Sequence, residues 1–130
     1  MGYTIRNLNE IEDVAPRLGI SENQESRFPA QELQSETVGL ALHRLRPGMR
    51  QGFAHRHERA EEIYVVLSGT GRVKLDDSIL DVAPFDAIRV APQVARAFEA
   101  GSDGLELLAF GPQHASDGEK LDGDFWKDRA

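Results

Sequence analysis

The chain contains no cysteine, which rules out a disulfide framework, a thiolate nucleophile and a cysteine-built zinc site. Any metal must then be held by histidine and carboxylate, which narrows the choice to hard or borderline ions. No stretch approaches the ~20 apolar residues that a membrane span requires. The amino terminus, MGYTIRNLNEIED, also lacks the apolar core of a signal peptide, so a cytoplasmic protein is expected. Basic residues are in the minority, 15 Lys and Arg against 22 Asp and Glu for a formal charge of −7. Neither nucleic acid nor an anionic membrane is therefore an expected partner.

What is present suits one domain: 130 residues, 40% of them hydrophobic, suffice for a single core. The texture changes near residue 36. Residues 1–36 mix polar and apolar positions and read as an arm with one or two short helices, with Asn9 before EIEDV as a helix start and Pro16 as its end. Across 37–113, seven short apolar runs recur between turn signals: VGLALHRL, EIYVVL, RVKL, ILDV, AIRV, ARAFEA and LELLAF. That spacing predicts an all-β sandwich or barrel. Gly69 and Gly71, in SGTG, read as a hairpin turn where positive φ is useful. The tail, 114–130, is rich in Asp, Gly and Lys, and Phe125 and the single tryptophan, Trp126, are expected to anchor it on the body.

Residues two apart on a strand face the same side. His55 and His57 therefore project together, with Arg56 turned away, and Glu62 shares a face with Tyr64 and Val66. Two imidazoles and a carboxylate at this spacing can gather around one metal ion. Ile63, Val65 and Leu67 make the opposite face apolar as well. A strand apolar on both faces is expected to be covered on both, which suggests a homodimer. A lone histidine on a strand, His43, reads as a wall residue that lines a pocket at most, and His114, in a Gly, Pro and Asp-rich loop, is given no role.

Gly48, then HxH at 55 and 57, four residues to Glu62 and six to Gly69 resembles the first motif of the cupin superfamily, with one extra residue between Gly48 and His55. DVAPFDAIRVAPQVARAFEA, with Pro84, Asp86, Pro92 and Phe98, is similar to the second, except that the usual histidine aligns with Arg96. The resemblance covers about residues 38–111. It implies a double-stranded β-helix, the jelly-roll barrel of a single-domain cupin. Family alone does not fix activity, because such barrels host isomerases, dioxygenases, decarboxylases, storage proteins and sensors.

Arg96 is where the physics bears hardest. A guanidinium has no lone pair for a metal and stays charged at ordinary pH. A divalent ion ~5 Å away would meet a repulsion on the order of 6 to 7 kcal/mol at an effective dielectric of ~20. Either Arg96 pairs with Glu62 in a metal-free barrel, or His55, His57 and Glu62 hold iron, manganese, nickel or zinc while Arg96 grips a substrate carboxylate. Both need Arg96 inside. The expected pocket comprises His55, His57 and Glu62 as metal ligands and Tyr64, Arg96 and Phe98 as ligand-binding residues. The function read from this is a small-molecule-binding cupin acting on or sensing a small anionic compound. The alternatives are a metal-dependent dioxygenase-like or isomerase-like enzyme and a metal-free sensing or structural barrel.

Overall fold

The computed structural model describes residues 2–113, 117–121 and 123–127. Eight strands carry the fold: β1 (Gln24–Arg27), β2 (Val38–Leu45), β3 (Ala54–His57), β4 (Glu62–Leu75), β5 (Ser78–Val82), β6 (Ala87–Val90), β7 (Arg96–Pro112) and β8 (Gly118–Leu121). All pairings are antiparallel. The order β1-β2-β7-β3-β8 forms one path, and β4 joins β5, β6 and β7. This is the all-β architecture expected of the apolar runs, in the jelly-roll form that the resemblance implies. No helix among the described residues is long and apolar enough to cross a membrane.

The seven runs form five strands, because SGTG and GSDG lie inside strands instead of ending them. EIYVVL and RVKL fuse through Ser68–Gly71 into β4, of 14 residues, and ARAFEA and LELLAF fuse through GSDG into β7, of 17 residues. Gly69 and Gly71 are thus not in a hairpin turn. They sit where the register between β4 and β7 shifts, and the bulges let both strands bend together around the barrel corner. A Cβ on Gly69 would lie 2.0 Å from the Gly104 carbonyl oxygen, and one on Gly71 would lie 2.0 Å from that of Glu99. The glycines are there for close backbone approach.

The arm also departs from expectation. A 3-10 turn (Leu8–Glu10) is capped by the side chain of Asn7, not Asn9. Pro16 falls in the first turn of α1 (Ala15–Leu18), which ends instead at Gly19 with φ of 74°. Proline suits that first turn because its missing N–H has no intrahelical partner there. The arm then adds β1 to the sheet beside β2. Its sequence, QESR, gives no apolar alternation, since the buried positions are the polar Gln24 and Ser26.

The main core lies between the layers and includes Leu45, Tyr64, Val66, Val73, Phe98 and Leu107. A smaller cluster gathers Ala54, Ala97 and Trp126, with Leu121 and Phe125 against it. Lys74 Nζ donates to the carbonyl oxygens of Phe125 and Trp126, and the Arg50 guanidinium lies 4.7 Å from the Trp126 ring centre. Trp126 thus fixes the tail. Before it, β8 pairs with β3, the strand that carries HxH. His114 lies outside the described residues.

Candidate functional site

β3 and the start of β4 bring His55, His57 and Glu62 together, with one ligand atom of each within 4.8 Å of the others. The two imidazole rings stand edge to face, 5.1 Å apart. Their shared focus is one carboxylate oxygen, Glu62 Oε1. It accepts hydrogen bonds from Tyr64 Oη at 2.7 Å, Arg96 Nη2 at 3.2 Å and His55 Nε2 at 3.3 Å. Burial alone would raise the Glu62 pKa, but the hydrogen bonds from His55 and Tyr64 prevail and hold it at about 2. Burial, then the Glu62 charge, pushes the Tyr64 phenol well above its ordinary range, so Tyr64 keeps its proton and donates.

His57 differs from His55. Its Nε2 lies 3.4 Å from Glu62 Oε1, yet not in hydrogen-bonding geometry, and this buried nitrogen has no hydrogen-bond partner among the described residues. Its Nδ1 lies 3.0 Å from Asp117 Oδ1. The carboxylate can only accept, so Nδ1 carries a proton, and in the neutral imidazole Nε2 would present its lone pair to the cluster. Asp117 is itself fixed by the backbone N–H groups of Arg59 and Ala60. The Arg59 hydrogen bond, ahead of those from His57 and Ala60, holds its carboxyl well below the usual range. A carboxylate behind a histidine is the arrangement that orients metal-ligating imidazoles. Nothing in the sequence marked Asp117, one acidic residue in an acidic tail.

Arg96 points inward and is 0% exposed. Besides Glu62, it donates from Nε to Tyr64 Oη at 3.2 Å and from Nη1 to the carbonyl oxygens of Pro92 and Val94 at 3.1 and 2.7 Å. It is a locked counter-ion behind the cluster.

In front of the cluster opens a cavity of about 380 Å³, within the range of small-molecule sites. The arm supplies one wall through Leu18, Ile20, Gln24, Ser26 and Phe28, and the barrel supplies His43, Gln51, Phe53 and Pro112. Tyr64 lines it. Arg96 and Phe98 do not line it. Phe98 is fully buried, with its ring 5.0 Å from that of Tyr64, and Arg96 is enclosed by its own turn. Among the described residues, the lining contains no lysine or arginine. His43 lies on the β2 wall, where burial, then the field of His55, lowers its pKa to about 4; it is neutral at pH 7.

Known proteins share this fold. No curated protein matches the chain in sequence. Among solved structures, a cupin protein from Bacteroides fragilis superposes with a TM-score of 0.70 at 22% identity, covering 100% of this chain and 97% of that one. The polyketide cyclase RemF from Streptomyces resistomycificus gives 0.75 at 16% identity over 95% and 89%. Oxalate decarboxylase from Bacillus subtilis gives 0.73 at 20% identity, and there 91% of this chain spans only 33% of the other. These likenesses concern the fold. Residues 41–110, more than half of the chain, match the cupin domain family, and with both motifs on adjoining strands of a jelly roll, the chain belongs to that family.

Proposed function

We propose that the chain is a small-molecule-binding cupin in which His55, His57 and Glu62 hold a divalent ion at the polar end of the cavity, where a small anionic ligand is drawn to it. The observation that carries this reading is His57 Nε2, buried without a hydrogen-bond partner among the described residues and 3.4 Å from Glu62 Oε1, while Asp117 holds the opposite nitrogen. A buried polar atom left unpaired costs about 1–3 kcal/mol, a cost that a ligated metal would remove. Two imidazoles and one carboxylate suit iron, manganese, nickel or zinc. When bound, such an ion polarises a ligand oxygen as a Lewis acid, which is the basis for dioxygenase-like or isomerase-like chemistry. The remaining work falls to the chain: Tyr64 and Arg96 hold Glu62 in place, and the apolar walls exclude water from the ligand. With no cationic side chain on the lining, an anion finds its positive charge at the metal.

A second reading has its own support. Arg96 already neutralises Glu62, and a barrel complete without metal would serve as a ligand sensor. Elemental analysis and calorimetric titration with manganese, nickel and zinc separate the two. About one equivalent should bind, Asp117→Asn should weaken binding about 10- to 100-fold, and His57→Ala should abolish it. Binding below about a tenth of an equivalent would leave the sensor.

A homodimer belongs to the same proposal. Register places Leu40, Phe110 and Ile63 side by side on the outer face of β2, β7 and β4, with Ile63 42% and Val38 57% exposed. Light scattering should return twice the protomer mass, and 14.4 kDa would refute it.

A further inference from the structure

We propose that His43 is a ligand-contacting hydrogen-bond donor, held in one tautomer by a one-way relay from the arm, and that it selects anions carrying a second, neutral acceptor oxygen such as a carbonyl. This rests on the reading of the cavity as a small-molecule site and names the ligand class more closely.

The relay starts at the backbone. Gly52 N–H donates to Gln24 Oε1 at 2.8 Å, which fixes the amide so that Nε2 faces Ser26 Oγ at 2.7 Å. An amide nitrogen only donates, so Ser26 Oγ accepts. Ser26 Oγ also lies 2.8 Å from His43 Nδ1, and this contact has two conceivable directions. If Nδ1 donated, the serine oxygen would accept twice and its own proton, on a side chain only 1% exposed, would have no acceptor among the described residues. If the hydroxyl donates, every group in the chain is satisfied. Nδ1 therefore accepts and the imidazole proton sits on Nε2.

That proton has no internal destination. Nε2 forms no hydrogen bond among the described residues, and it is not among the buried unpartnered atoms, so it is open to the cavity that His43 lines. Phe28 packs against the ring at 5.7 Å, nearly perpendicular, which fixes its plane. A neutral, oriented N–H in a cavity also lined by the apolar Leu18, Ile20 and Phe53 discriminates for a ligand acceptor placed against it. The burial that keeps His43 neutral keeps that donor constant near pH 7. Gln24 and Ser26 are positioning residues and need not touch the ligand.

The test has two arms. Nitrogen-15 imidazole spectra of metal-free protein should show His43 protonated on Nε2 alone, and Ser26→Ala should release it into a mixture of tautomers. A wild-type spectrum with the proton on Nδ1 overturns the proposal and leaves the metal reading untouched. In the second arm, zinc-loaded protein is titrated with 4-oxo-4-phenylbutanoate and with 4-phenylbutanoate, which differ only in the carbonyl. The oxo acid should bind roughly 3- to 10-fold more tightly, the range of one hydrogen bond, and His43→Phe should erase that preference while 4-phenylbutanoate still binds. Equal affinities in the wild type, a preference that survives His43→Phe, or no binding of either probe at millimolar concentration would overturn it. Failure of zinc to bind, with the tautomer as expected and the oxo-acid preference retained in metal-free protein, would sink the metal reading alone.

Discussion

Glu62→Ala should lower the unfolding free energy by about 3–5 kcal/mol, as expected when one partner of a buried ion pair is removed, a large part of the ~5–15 kcal/mol that holds a domain together. The reason lies in an asymmetry. Arg96 is sealed from water, whereas the Glu62 side chain is 18% exposed toward the cavity. Removing the carboxylate strands a charge that cannot rehydrate. Removing the guanidinium, as in Arg96→Gln, leaves a carboxylate that still has His55, Tyr64 and cavity water, so the loss should be smaller. Urea denaturation of the two variants measures the difference, and equal losses would refute the buried-pair account. The pH dependence has a definite sign. The folded Glu62 pKa, about 2, lies below its ordinary value of 4.5, so its contribution is full above about pH 4.5 and disappears as pH falls through about 2. That shift, set by the hydrogen bonds from His55 and Tyr64, corresponds to about 3 kcal/mol. The gap between wild type and Glu62→Ala should therefore close as pH falls from 5 to 2.

Arg96→His should raise affinity for zinc or nickel at least about 100-fold, or ~2.8 kcal/mol. Arg96 stands opposite His55 in the β3–β7 register, so an imidazole there removes a positive charge and adds a nitrogen donor beside the existing ones. Arg96→Gln separates the two effects, since it relieves the charge without supplying a ligand, and its gain should be intermediate. Calorimetry on both variants, with thermal melts to verify folding, checks the ordering. Unchanged or weaker binding in a folded Arg96→His variant would mean that the guanidinium does not compete with the metal.

The parts of the site legible in the sequence are those set by local period. HxH on β3 and Glu62 ahead of Tyr64 and Val66 could be placed on inward faces because strand alternation needs no knowledge of partners. Gln24, Ser26 and Asp117 could not. Each is a polar residue whose role comes from a contact far along the chain: Gln24 with Gly52, Ser26 with His43, Asp117 with His57. Arg96 shows the intermediate case. Its inward direction follows from its strand, but whether its fork faces a ligand or is consumed by nearby carbonyls depends on the turn at Pro92 and Val94, which take up Nη1. SGTG and GSDG misled for a related reason, since glycine marks a turn and a close backbone approach with the same letter.

The arm has a consequence for how this barrel can diversify. Among the described strands β1 pairs with β2 alone, yet it brings Gln24 and Ser26 to the cavity, with Phe28 just beyond its end. The metal cluster belongs to β3 and β4 and the main core to the barrel, so arm substitutions can reshape ligand preference with little effect on either. Selection, natural or in the laboratory, then has a short peripheral stretch on which to explore new ligands, while the strands that keep the protein folded remain unchanged.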